Sequence, residues 1–171
     1  MRVFHGVAAV LVTVTALAAT AHAAEVEVLF DLGGGHDIGS VAARDAVLER
    51  IEAAGGPRLR VRTGTSESYP GITLPAPAGG WDLSRRMWIS LELANPGEQE
   101  VAVSLRVDNA GADGRDRCAT GSTRLAPGRA GSVDIALHPA LYARGALSFN
   151  GMRGDPPVAP PLDPARVTQA L

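Results

Sequence analysis

The chain contains a single cysteine, Cys118, and no lysine. One cysteine cannot form an intramolecular disulfide, so the fold must be held by its core and its hydrogen bonds. Aromatic residues make up only 4% of the chain, which leaves few rings for a stacking platform. The formal net charge of −2 excludes a strongly basic surface for nucleic acid or for an anionic membrane. Because no motif links Cys118 to a base, we interpret it as a small residue of a loop or strand.

Only one long hydrophobic run is present, and it lies at the N-terminus. Arg2 precedes an almost wholly apolar stretch that reaches Thr20, and Ala-His-Ala at 21–23 offers the small residues of a cleavage site. The pattern predicts a cleaved signal peptide over residues 1–23 and a secreted or periplasmic protein. The alternative is a membrane anchor, since about 18 residues can just span a bilayer. Residues 24–171 fit one domain of ordinary size.

Alternation of apolar and polar side chains predicts several short strands separated by turns. The clearest case is Arg58-Leu-Arg-Val-Arg-Thr63, in which Leu59 and Val61 share one side and three arginines the other. The other expected strands cover 25–30, 72–74, 87–94, 101–108, 120–125, 132–137 and 146–151, and 167–171 is a short run at the end of the chain. Short turns after 87–94 and after 120–125 predict that each of these strands forms an antiparallel hairpin with the next one. Such a series of strands favours an all-β sandwich or barrel.

One segment, 41–54, is ambiguous on pattern alone. Its residues are good helix formers, and Val47, Leu48 and Ile51 lie near one helical face. The following Gly55-Gly56-Pro57 would end either a helix or a strand.

An ordered set of short motifs resembles a known domain. The chain is similar to the N-terminal β-sandwich domain that precedes the catalytic barrel in bacterial β-agarase-like glycoside hydrolases and, more broadly, to galactose-binding-like carbohydrate-binding modules. This resemblance extends over about 25–171. The residues that carry it are Leu59-Arg-Val-Arg-Thr-Gly64, Tyr69-Pro-Gly-Ile72, Trp81-Asp-Leu-Ser84, Leu93-Ala-Asn-Pro-Gly97, Leu105-Arg-Val-Asp-Asn109, Leu125-Ala-Pro-Gly128 and Gly151-Met-Arg-Gly154.

The resemblance implies an antiparallel jelly roll of two sheets, with a strand rather than a helix in 41–54. It implies no glycosidase activity, because the catalytic barrel is absent, so we expect a protein that is not an enzyme. In such modules the segment 163–171 leads into closing strands. We therefore expect a fold that lacks its last strand, in a chain that is a fragment or a truncated product. A missing strand would leave an unpaired sheet edge.

Catalytic and metal-binding patterns are sparse. Asp108 and Asp113 could supply paired carboxylates, but their place in or beside one loop favours solvated turn residues. Asp31, His36 and Asp37 could hold a structural Ca²⁺, which is common in modules of this kind, although no evenly spaced acidic ligand set appears. We interpret these three as ordinary polar loop residues and leave a metal site open.

Sugar binding requires an aromatic ring and planar polar side chains. Trp88 and the pair Arg106 and Asp108 fall on the polar sides of consecutive predicted strands, so they could share one surface. A cross-strand salt bridge on a solvated face is the alternative interpretation. We expect Trp81 to pack in the core. The predicted ligand-binding residues are Trp88, Arg106, Asp108, Asn109, Asn150 and Arg153.

Two functions from different classes follow. The first is an exported, non-catalytic carbohydrate-binding module for a galactan-type polysaccharide or oligosaccharide. The second is a structural accessory domain, or a truncated remnant of a secreted glycoside hydrolase, that binds protein and not glycan. A weaker third possibility is a stand-alone cell-envelope domain with a protein ligand. In the second case the partner would be a glycoside hydrolase domain.

Overall fold

The computed structural model describes residues 14–18, 25–137 and 162–171, and in these residues the chain forms strands but no α-helix. Two 3₁₀ turns cover Ile38–Ser40 and Pro164–Arg166. The strands are β1 (Val14–Ala18), β2 (Glu25–Phe30), β3 (Ala42–Arg44), β4 (Ala46–Ala53), β5 (Gly56–Thr63), β6 (Gly71–Pro75), β7 (Trp88–Ala94), β8 (Val101–Asn109), β9 (Cys118–Leu125), β10 (Ala130–Ala136) and β11 (Val167–Ala170).

These strands form three antiparallel sheets. The four-stranded sheet has the order β10-β7-β1-β2, the five-stranded sheet has the order β3-β6-β11-β8-β9, and β4 and β5 form a two-stranded hairpin. Every described pairing is antiparallel. The expected all-β sandwich class is therefore confirmed, whereas the jelly-roll topology stays a prediction.

The core lies between the inner faces of the two larger sheets. Ile89 and Leu93 project from β7, and Leu105 and Val107 project from β8; all four are almost fully buried in one hydrophobic cluster. Alternate residues of a strand point to opposite faces, so each of these strands supplies one apolar side to the core. Burial of this apolar surface is the main stabilising contribution to such a fold.

The two predicted hairpins are wrong. β7 pairs with β1 and β10, whereas β8 pairs with β9 and β11, so residues 95–100 cross from one sheet to the other. The same holds for β9 and β10, which also lie in different sheets. The buried Asn95 fixes both crossings, because its side-chain amide donates to the carbonyls of Gln99 and Leu125 and its oxygen accepts from Gly97 N–H.

The ambiguous segment 41–54 contains the whole of β3 and β4, which confirms a strand region in place of a helix. Asp45 separates the two strands with a positive φ of 45°. Its carboxylate accepts hydrogen bonds from the backbone N–H groups of Ser66 and Glu67, which ties this corner to the loop after β5. On β5, Leu59 and Val61 are buried, as the alternation predicts.

The N-terminal apolar run contributes a strand to the sandwich. β1 lies inside the predicted signal peptide and runs antiparallel between β2 and β7. Across the described residues, no helix is both long enough and apolar enough to span a membrane. The strand expected at 146–151 lies outside the described residues.

A close approach between the sheets explains one glycine and gives a first prediction. A Cβ atom on Gly121 of β9 would lie 2.6 Å from the carbonyl oxygen of Asp134 on β10, and that backbone oxygen cannot move aside cheaply. We expect Gly121→Ala to lower the free energy of unfolding by about 1–3 kcal/mol through overpacking.

The matched control is Gly71→Ala, in β6, where nothing lies within 4 Å of the added Cβ. There alanine reduces the entropy of the unfolded chain and should be neutral or slightly stabilising. Urea denaturation of both variants measures the difference, and equal stabilities would contradict the proposed contact between β9 and β10.

Candidate functional site

A buried polar cluster lies at the end of β8. Asp108 is only 1% exposed although it projects from the outer face of the five-stranded sheet. Arg106 Nη2 and Gln169 Nε2 each donate to its Oδ2 at 3.0 Å. Arg106 Nε also lies 2.9 Å from Oδ1, in an ion contact that lacks hydrogen-bond geometry. The Thr168 hydroxyl donates to the Asp108 carbonyl, so β11 covers the acid from the side.

The neighbouring Asn109 fastens the segment that leads into β11. Its side-chain amide donates to the carbonyl oxygens of Asp163 and Arg166 at 2.8 and 2.7 Å. Its side-chain oxygen accepts the Asp163 N–H at 2.7 Å. Both N–H groups of the Asn109 side chain and one lone pair of its oxygen are therefore bonded to the backbone. Only the second lone pair of that oxygen is left for a sugar hydroxyl.

The structure does not bring Trp88 together with Arg106 and Asp108. Trp88 projects from the outer face of the four-stranded sheet, because Ile89 and Leu91 next to it face the core. Arg106 and Asp108 project from the outer face of the opposite sheet. The surface shared by these three residues, expected from a β7–β8 hairpin, is therefore not formed. Asn150 and Arg153 lie outside the described residues.

The other aromatic side chains of the described part are distributed singly. Trp81 is 8% exposed and exchanges backbone hydrogen bonds with Val167, which confirms its expected place in the core. Phe30 is buried against the His36 ring, with centroids 5.0 Å apart. Tyr69 is 83% exposed in the loop after β5. No two of these rings make a stacking platform in the described residues.

An apolar cleft of about 280 Å³ lies between β5, β6, β7, β8 and β11. Val61, Ile72, Leu91, Val103 and Leu171 contribute to its walls. Among the described residues its lining includes no aromatic ring and no charged side chain. Sequence reasoning missed this cleft because its walls come from strands far apart in the chain, each of which reads only as a half-buried strand.

The acidic loop residues serve as backbone acceptors. Asp31 accepts from Gly33 N–H, and Asp37 accepts from Gly39 N–H at the first 3₁₀ turn. Hydrogen bonds from the N–H groups of Asp116 and Arg115 lower the pKa of Asp113, which favours its carboxylate form within the loop between β8 and β9. The described residues contain no group of three or more His, Cys, Asp or Glu side chains placed to hold a metal ion.

Cys118 is the first residue of β9 and pairs with Asp108 across the ladder. Burial raises the pKa of its thiol, and the negative charge of Asp108 raises it further. Since the thiolate is the reactive form, this environment disfavours a nucleophilic role. The residue is a half-buried strand residue, in agreement with its interpretation from the sequence.

Comparison with known proteins identifies no relative. A scan of protein-family models, a search of curated proteins and a search of solved structures each found no match to this chain. The resemblance to agarase-associated modules therefore stays a prediction, and the all-β sandwich and its cleft are the features from which function can be argued.

Proposed function

We propose that the protein is an exported, non-catalytic accessory domain that binds another protein through the apolar cleft. The observation that supports this choice over glycan binding is the chemistry of the surface. Arg106, Asp108 and Asn109, the polar residues expected to contact a sugar, are engaged in hydrogen bonds within the sandwich. A sugar site also needs an aromatic ring beside its polar groups, and the described residues that line the cleft include neither a ring nor a charged side chain.

The cleft has the properties of a protein-binding surface. Its walls include the half-buried valines Val101 and Val103 and the C-terminal residues Ala170 and Leu171. Apolar side chains in a concave, desolvated site are typical of the central part of a protein interface. A cavity of about 280 Å³ is large enough to admit aliphatic side chains from a partner.

A photo-crosslinking experiment tests this function. A photoreactive amino acid replaces Leu171, which lines the cleft, or Glu98, which lies in an exposed turn as a control. Each variant is mixed with the proteins that the source cell exports and is irradiated, and mass spectrometry then identifies the crosslinked adducts. We expect one defined protein adduct at position 171 and none at 98.

Two matched variants show whether the cleft itself is responsible. Val103→Arg places a charge in the cleft and should reduce the adduct about tenfold or more. Ser122→Arg adds the same charge on the exposed side of β9 and should leave it unchanged. Calorimetric binding of agar-type galactans that depends on Trp88, without any cleft adduct, would contradict the proposal and support the carbohydrate-binding alternative.

A further inference from the structure

β1 holds a position in the four-stranded sheet that β2 depends on. Among the described strands β2 pairs with β1 alone, and β7 pairs with β1 on one side and β10 on the other. The predicted cut after residue 23 would remove β1 and leave β2 in place. A gap one strand wide would then separate β2 from β7.

An empty gap is energetically unfavourable. Its two edges carry the backbone N–H and C=O groups of β2 and β7, and these edges flank the core residues Phe30 and Ile89, which are 2% and 0% exposed. Unpaired backbone groups beside a core cost free energy, and an open edge invites pairing with another strand. The exported form of the domain therefore requires a new strand at this position.

We infer that the gap between β2 and β7, here called the acceptor groove, is a binding site for an extended apolar strand from the partner protein. This inference rests on the proposed function, because it names how the protein partner binds. Addition of a peptide strand to a sheet is a recurring mode of recognition, in which backbone hydrogen bonds supply affinity and side-chain pockets supply specificity. The acceptor groove offers two such edges at once.

The pairing of β1 defines the direction of the strand. It runs antiparallel to both neighbours, with Val14 opposite Leu91 and Leu17 opposite Trp88. Leu91 also lines the apolar cleft. Leu91 therefore lies at both the groove and the cleft, and a strand that pairs with β7 at this residue reaches the edge of the cleft. The expected partner segment is an extended run of apolar residues at least as long as β1.

Hydrogen exchange on the full chain tests this inference. Ala16→Pro, in the centre of β1, removes a ladder hydrogen bond and should vacate the groove, whereas Ala16→Ser keeps the backbone N–H as a matched control. We expect amide exchange in β2 and β7 to accelerate about tenfold or more in the proline variant. A synthetic peptide with the sequence of residues 12–20 should then restore the protection, and the same peptide carrying Ala16→Pro should not.

Several outcomes would overturn the inference. One is that the amide protection of β2 and β7 is unchanged in the proline variant. Another is that the two peptides restore this protection equally. A third is that protection recovers because the variant forms dimers, which sedimentation would detect. Protection of β8 and β9 reports whether the remaining sandwich is folded. If Ala16→Pro abolishes that protection as well, Ala18→Pro, at the end of the strand where only β2 pairs, replaces it in the same assay.

The failure of this inference differs from the failure of the proposed function. If cleft adducts form but the peptide does not restore exchange protection, the partner binds without adding a strand. If no cleft adduct forms, the proposed function itself is contradicted, whatever the peptide does.

Discussion

Replacement of Asn109 with alanine is expected to lower the free energy of unfolding by about 2–4 kcal/mol. The residue is 9% exposed, and its side chain makes three hydrogen bonds to the backbone of Asp163 and Arg166. Each such bond contributes about 1 kcal/mol net to stability. The buried backbone groups that lose their partner add a desolvation penalty that exceeds this contribution. The loss should be greatest in β11, because Asn109 fastens the segment immediately before that strand.

Urea denaturation measures the stability, and hydrogen exchange of Val167–Ala170 measures the local effect. Gln99→Ala truncates an exposed side-chain amide and should stay within about 0.5 kcal/mol of the wild type. Equal losses for the two variants would show that the hydrogen bonds of Asn109 are not structural. That result would also make the residue available again for the ligand-binding role expected from the sequence.

The alternation of side chains predicted the strands well but not their partners. In 87–94 and 101–108 the apolar residues recur at every second position, which is sufficient to identify β7 and β8. The same pattern arises whether the two strands pair side by side or face one another across the core, since in both cases one side of each strand is buried. The hydrogen bonds of the buried Asn95 stabilise the arrangement in which the two strands face one another across the core. One of these bonds goes to the carbonyl of Leu125, which is remote in sequence.

The surface that Trp88 was expected to share with Arg106 and Asp108 is not formed, for a related physical reason. Arg106 and Asp108 do lie on the outer face of their strand, as predicted. An outer face is solvated only if nothing covers it, and here Gln169 and Thr168 of β11 and Cys118 of β9 surround the acid. That cover comes from distant positions in the chain, so no local pattern could reveal it.

The N-terminal apolar run is compatible both with a signal peptide and with a strand of the sandwich. Val14–Ala18 is apolar enough for the hydrophobic part of a signal peptide, and it is equally suited to a strand that is paired on both edges. An apolar run of this kind carries no periodicity that separates the two interpretations. The predicted signal peptide and the strand β1 therefore use the same residues, and the proposed acceptor groove is what cleavage of that signal peptide would leave.

Asp108→Ala should be the other strongly destabilising change, with a loss of about 2–4 kcal/mol. The substitution removes a carboxylate that is almost fully buried and leaves the Gln169 amide without its acceptor. Breaking a fully buried ion pair costs about 3–5 kcal/mol, but the Arg106 side chain is 33% exposed and can turn toward water, which reduces the penalty.

Glu100→Ala is the matched control for Asp108→Ala, because Glu100 pairs with Arg124 on the surface, where the two side chains are 53% and 76% exposed. Exposed pairs contribute at most about 1 kcal/mol, so this variant should differ little from the wild type in urea denaturation. A double-mutant cycle with Arg106→Ala then separates the ion pair from the contacts with β11. If the two single acid variants are equally stable, the buried cluster does not hold β11 to β8, and Asp108 would again be a candidate for ligand contact.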